Sequence, residues 1–413
     1  MALTSAERAQ NVFTLLHTQW QWAQMANTLA AGQYPQYALN EQFEFALEST
    51  AAYTDGLRIW VTNLDISVDL GTTANAAVLL NRGGVETLLG KIEVKLGNGI
   101  YKVRAAALPF LKQSMSRRGD GSRFPGNFQQ GATPAYSHYL SGSTNGTTTS
   151  LAFQTSAGDN IYDFYVDIPL AMLEKVGDSD GIAPTLSQAA MSVAFTTPNN
   201  LAGSDALRFP FTTQNGATVT LGTTTTSAVS CWMHIAKLRS VFSTAGLPPF
   251  VIGPGFRFEE ITHTFQESTG FHTFQGKSGF KTLVKSFVII NNPGELAGEF
   301  SNAPQNLQTL TLKYDKTDTV FEQDKATNPK GSNVALRNVM VDQRNVIGDQ
   351  APGLYVLDWS RGTNADYPNS QGYLDLETFS NAGVETEYAV TPATNAQVVM
   401  FNVYLDESLY VAQ

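Results

Sequence analysis

Residues Gly246–Gly255 read "GLPPFVIGPG". Adjacent prolines and a closing Gly-Pro-Gly break regular structure, because proline lacks a backbone donor and glycine accepts turn conformations. The two flanks of this break decide the fold. Upstream, "FEFALEST", "GLRIWVTNLDISVDLG", "GKIEVKLGNGIYKVR", "NIYDFYVDIPL", "AAMSVAFTT", "ATVTLG" and "SAVSCWMHIAK" follow one another as strand-like runs. Downstream the order starts again with "FRFEEITHTFQES", "GFKTLVKSFVIINNPG", "NLQTLTLKYDKTDTVFEQD" and "GLYVLDWS". It closes with "VETEYAVTP" and "AQVVMFNVYLDESLYV". The repeat is one of pattern rather than identity, and each half supplies roughly eight strands.

Two eight-stranded antiparallel units fit a pair of jelly rolls in an all-β chain. Periodicity alone does not give the strand connectivity. The boundaries expected from the pattern are 1–40 for an N-terminal helix and linker, 41–245 for the first unit and 246–413 for the second. Within the first, Phe43, Phe45 and Leu47 alternate on one side of a strand. Gly97-Asn98-Gly99 marks a hairpin turn. Helix signals are confined to short pieces near Leu170–Lys175 and Lys237–Thr244, apart from the N-terminal segment.

That segment is unusual. From Ala9 to Asn40 there is no Asp, Glu, Lys or Arg. Thr4 and Glu7 have capping-box spacing, with Ser5 as a second candidate cap. Val12, Leu15, Leu16, Trp22, Met25, Ala26 and Leu29 then recur at spacings of three, four and seven, which predicts an amphipathic helix over Thr4–Ala31. Gly32 and Pro35 would end it. Its other face (Gln10, Thr14, Gln21, Gln24, Thr28) is polar without charge. Such a helix is too polar to span a bilayer and is expected to pack in an assembly, with Trp20 and Trp22 near a lipid surface as an addition.

Composition narrows the function classes. The chain has 413 residues, 42% hydrophobic and only 15% charged, with formal net charge −10. There is enough apolar material for two cores. A charge-poor surface suits burial against other copies, and Gln, Asn, Ser and Thr supply an alternative polar surface. The negative charge disfavours direct nucleic-acid binding. The single cysteine, Cys231, allows no intramolecular disulfide and no cysteine-based zinc site. The opening residues lack a basic region followed by an apolar one, so no export signal is expected. No apolar run is long enough for a spanning helix.

The sequence carries little catalytic chemistry. None of the five histidines forms a metal pair on a helix; His263 and His272 flank a turn and could meet, without a carboxylate arrangement beside them. "QGKSG" (Gln275–Gly279) has the end of a phosphate loop, but Phe271 stands where its first glycine is needed. Glu259 and Glu260 are adjacent in a strand and point to opposite faces, unlike paired glycosidase carboxylates. Asp178 and Asp180 lie in a turn that lacks the rest of a calcium loop. "RGD" (Arg118–Asp120) and Asn145-Gly146-Thr147 are short chance-level motifs. No cofactor is implied. Two long loops, Ser114–Ser150 and Glu322–Gly353, sit at corresponding places in the halves, and loops of this length normally project or meet a neighbour.

The order of segments resembles the double jelly-roll major capsid proteins of tailless icosahedral viruses with an internal membrane, of the tectivirus type. The resemblance rests on the helix, the "GQYPQYALNEQFEF" entry, two tandem units joined at "GLPPFVIGPG", and the "NAQVVMFNVYLDESLYVAQ" exit. It covers essentially the whole chain. It implies a non-enzymatic homotrimer that forms a near-hexagonal capsomer and tiles a shell with neighbouring capsomers, in a virion assembled in the host cytoplasm. Expected partners are vertex (penton) and minor capsid proteins and the internal lipid membrane. The resemblance makes Val12, Leu16, Trp20, Trp22 and Met25 the membrane-proximal assembly helix. Arg117, Arg118, Asp120, His138, Lys330 and Arg344 become tower or inter-subunit loop residues. The competing reading is a two-domain glycan- or receptor-binding β-sandwich, with Tyr136, Tyr139 and Trp359 as stacking platforms.

Overall fold

The computed structural model describes residues 6–7, 9–10, 18–30, 32–47, 53–73, 76–80, 84–96, 99–108, 128–130, 133–135, 158–169, 183–184, 191–203, 205, 207–238, 255–264, 267–275, 281–291, 307–313, 319–324, 354–358, 374–388 and 396–406. Almost all regular structure among them is antiparallel strand, with 3-10 turns at Gly84–Leu89 and Ala105–Ala107. The described residues divide into two compact units between Phe256 and Arg257.

In the first unit, one sheet runs Thr18–Gln24, Ala228–Leu238, Tyr53–Asp69, Gly158–Pro169, Phe128–Gln130, Thr133–Ala135, with Thr218–Leu221 and Ala183–Pro184 also paired to Tyr53–Asp69. A second set pairs Ala26–Asn27, Gln42–Leu47, Met191–Thr196, Lys91–Leu96 and Gly99–Arg104 in that order. Neighbours far apart in sequence, such as Gln42–Leu47 beside Met191–Thr196, are the long crossovers of jelly-roll connectivity. Alternate residues are buried on each strand: Phe43 and Phe45, Ile92 and Val94, Val193 and Phe195. Phe43 and Phe195 stack at 4.8 Å between ring centres.

The long strand Tyr53–Asp69 stays amphipathic by changing phase once. Leu57, Ile59 and Val61 are buried, and so are Leu64, Ile66 and Val68. A bulge accommodates the switch: Phe164 faces Val61, Tyr162 faces Leu64, and Asn63 sits at φ 53°. Its amide donates to Asp163 Oδ1 at 2.7 Å, fixing the kink.

In the second unit, Gly255–Thr264, Gln397–Asp406, Thr282–Asn291 and Leu354–Asp358 lie side by side, with Leu374–Asp375 also paired to Thr282–Asn291. A four-stranded sheet runs Thr269–Thr273, Gly383–Tyr388, Leu307–Lys313, Thr319–Asp324. The core gathers Phe274, Leu283, Val288, Leu312, Val384, Met400 and Tyr404. Val398 to Tyr404 are buried on both faces, which explains the unbroken apolar reading of "VVMF". A polar knot crosses this core. Ser286 Oγ donates to Asn402 Oδ1 at 2.5 Å, Asn402 Nδ2 donates to the Phe274 carbonyl at 3.0 Å, and Tyr404 OH donates to the same carbonyl at 2.7 Å.

Two expectations are corrected. The helix expected over Thr4–Ala31 does not run the length of that segment: residues 6–7 and 9–10 are helical, but Thr18–Gln24 is a strand, register-paired with Ala228–Leu238 from Thr18↔Leu238 to Gln24↔Trp232. The sequence carries a second period there, Gln19-Trp20-Gln21-Trp22, and sheet pairing satisfies that alternation where an uncharged helix had little besides packing to hold it. Lys237 and Leu238 end a strand rather than start a helix. Within the expected loop Ser114–Ser150, Phe128–Gln130 and Thr133–Ala135 form a hairpin that joins the first sheet through Gln130↔Tyr162, a detail the sequence pattern did not address.

Candidate interaction surface

The bulged strand aims its unburied residues at one sheet face. With Leu57, Ile59 and Val61 turned inward, Arg58 and Trp60 project from the other side. Register sets their neighbours: Arg58 lies opposite Asp167 on one side and Trp232 on the other, and Trp60 lies opposite Tyr165 and Ser230. Trp22, on the outermost strand, lies opposite His234.

Arg58 organises this face. Its Nε donates to Asp167 Oδ1 at 2.6 Å and a terminal guanidinium nitrogen to Oδ2 at 3.1 Å, a two-point ion pair. The guanidinium carbon stands 4.4 Å from the Trp22 ring centre and 4.0 Å from that of Tyr165. One cation is thus held by two aromatic rings from different strands. His234 tilts against Trp22 at 4.7 Å, Trp60 against Tyr165 at 5.9 Å, and Trp232 Nε1 donates to Ser230 Oγ at 3.1 Å. The rings keep open sides: Trp22 is 38% exposed and Trp60 39%, with Ile161 at 40% farther along the same face. Aromatic surface with a neutralised arginine at its centre suits contact with another macromolecule.

Of the residues singled out by sequence, Trp22 belongs to this face. Met25 turns into the core, and its amide donates to the Cys231 carbonyl at 2.8 Å. Trp20 is in the strand opposite Ala236. Val12, Leu16, Arg117, Arg118, Asp120, His138, Lys330 and Arg344 lie outside the described residues, as do Tyr136, Tyr139 and Trp359. Sequence reading passed over Arg58, Tyr165 and His234. The available signal was Arg58-x-Trp60, two residues apart on one strand and therefore on one face.

Elsewhere the chemistry is quiet. His263 and His272 do meet, with ring centres 5.5 Å apart. His272 is buried with its Nε2 3.0 Å from Thr386 Oγ1, and burial, helped by His263, lowers its pKa to about 4. The Cys231 thiol is buried and its pKa is pushed up by desolvation, which removes it as a nucleophile. Among the described residues no three His, Cys, Asp or Glu side chains converge, and no helix is long and apolar enough to cross a membrane.

The fold is that of two tandem jelly rolls. Solved structures share it over nearly their whole length. The major capsid protein of Sulfolobus Turreted Icosahedral Virus matches with 12% identity, 95% of this chain and 98% of that one, at a TM-score of 0.53. The Faustovirus major capsid protein matches with 7% identity over 95% and 91%, at 0.55. A chain of the PBCV-1 virus capsid matches with 11% identity over 94% and 93%, at 0.56. No family model matches the chain, and no curated protein does.

Proposed function

We propose that this chain is the major capsid protein of an icosahedral virus. The observation that carries the reading is the match of both jelly rolls, end to end, to viral capsid proteins. Absence of enzymatic activity belongs to the same reading. In it, three copies form a pseudo-hexagonal capsomer, neighbouring capsomers tile a shell around an internal membrane, and vertex and minor capsid proteins complete a virion built in the host cytoplasm. The genome is not bound directly, consistent with the net charge of −10.

The face around Arg58 is the proposed contact between copies, because its open aromatic surface is uncharged outside an internally neutralised ion pair. Val12 and Leu16 keep the membrane-side role; Trp20, Trp22 and Met25 belong to the sheet. Arg117, Arg118, Asp120, His138, Lys330 and Arg344 remain the proposed tower or inter-subunit residues.

Light scattering with negative-stain microscopy tests this reading. A compact trimer of 44.7 kDa subunits with a hexagonal outline is expected. A stable monomer would remove the shell role and leave the aromatic face to a glycan or receptor.

A further inference from the structure

Below the bulge, the outer face of the first sheet changes character from aromatic to acidic. Asp65, Ser67 and Asp69 project from one strand, with Asp159 opposite Ser67 and Asp163 beside the bulge. The turn after Thr218–Leu221 closes over this patch. The Gly222 amide donates to the Asp65 carbonyl at 2.9 Å, and Thr225 Oγ1 donates to the Asn63 carbonyl at 2.9 Å. Any side chain at Gly222 would run into the Asp65 carboxylate, so the backbone lies directly on it.

Two carboxylates end on Thr224. Its amide donates to Asp65 Oδ2 at 2.7 Å, and its Oγ1 donates to Asp159 Oδ2 at 2.6 Å. Asp159 is exposed, whereas Asp65 is 3% exposed and its Oδ1 is buried with no hydrogen-bond partner. Neither aspartate forms an ion pair among the described residues. A buried carboxylate oxygen in that position is costly unless a hydrogen-bond donor or a cation meets it. Asp163 and Asp69 are already used, accepting from the amides of Asn63 and Gly71.

We propose that Asp65 and Asp159, joined through Thr224, form a binding site for a divalent cation of the calcium class. The protein donors are carboxylate oxygens, hard ligands with no nitrogen or sulfur among them, which favours Ca²⁺ over Zn²⁺, with solvent water expected to fill the rest of the coordination shell. The bound ion would pin the 222–225 turn to the bulged strand. The Asp65 oxygen supplies the buried, unpartnered ligand, and Asp159 supplies the open side through which the ion enters.

Thermal unfolding of the full-length protein in EDTA, in CaCl₂ and in MgCl₂ tests the site. Calcium at a hundredfold excess over its Kd is expected to raise the midpoint by about 5 °C. Asp159→Asn, an exposed substitution that leaves the buried carboxylate in place, is expected to fold normally and to lose that rise. Asp65→Asn serves as the second variant, with calorimetric titration of Ca²⁺ as the direct readout. No response of the unaltered protein to Ca²⁺, or a rise that survives in Asp159→Asn, overturns the site. An equal response to Mg²⁺ overturns the calcium assignment.

Discussion

Arg58 and Asp167 face each other across the two central strands of the first sheet, joined at 2.6 and 3.1 Å while both side chains are largely covered. The same guanidinium lies against Trp22, so one side chain ties the outermost strand to the sheet centre. Lysine keeps the charge but loses the planar fork and the stacking. Arg58→Lys is therefore expected to cost about 1–2 kcal/mol, and to make the chain near Thr18–Gln24 more open to limited proteolysis. Denaturant titration and protease mapping read the two effects. Unchanged cleavage would show that strand pairing alone holds the edge.

The second unit has a different point of fragility. Asn402 accepts from Ser286 and donates to the Phe274 carbonyl, all inside an apolar core. Asn402→Ala strips the Ser286 hydroxyl of its acceptor, leaves the Phe274 carbonyl with Tyr404 OH alone, and opens space in the core, and is expected to cost about 2–3 kcal/mol. Adding Ser286→Ala removes the orphaned hydroxyl, so the double variant should lose clearly less than the two single losses combined. Additive losses would show that the groups act independently.

Both outcomes bear on what the sequence made legible. Strands with one clean phase were readable: Phe43 and Phe45, the hairpin partners Lys91–Leu96 and Gly99–Arg104, and the apolar run Val398–Tyr404. The N-terminal strand carries two competing periods, because Trp22, Met25 and Leu29 fit a helical stripe as well as Trp20 and Trp22 fit a sheet. The partner that decides it, Ala228–Leu238, lies some two hundred residues away. Short strands such as Ala77–Leu80 and Phe211–Gln214 carry too few residues to show a period and exist by pairing with each other. The surface around Arg58 was hidden for the same reason: its parts come from residues 22, 58–60, 165–167 and 232–234.

Acid should act on the second unit through His272. Its folded pKa, about 4, lies below the ordinary value of 6.5, because burial and the neighbouring His263 disfavour the charged ring. The unfolded chain takes up this proton first as pH falls. Stability tied to His272 is thus complete above about pH 6.5 and drains away as pH drops through 4, by roughly 3 kcal/mol in all. His272→Gln retains a group able to bond Thr386 and should flatten the pH dependence of the denaturation midpoint between those limits. A profile unchanged by the substitution would assign the acid sensitivity to other groups.

The aromatic face gives the sharpest test of assembly. Trp22 and Trp60 keep open ring surface while their backbones are locked by register to His234 and Tyr165. Replacing both by serine removes apolar surface from the face and leaves the buried side of the sheet, Leu57, Ile59 and Val61, untouched. Loss of the Trp22–Arg58 stack should cost about 1 kcal/mol of unit stability, whereas aromatic anchors at an interface are worth about 2 kcal/mol or more each. The double variant is therefore expected to stay folded by circular dichroism and to associate at least a hundredfold more weakly by sedimentation velocity. Full association would place the contact between copies elsewhere on the units. Loss of both fold and association would call for the gentler Trp60→Ser alone, whose ring lies outside the Arg58 stack.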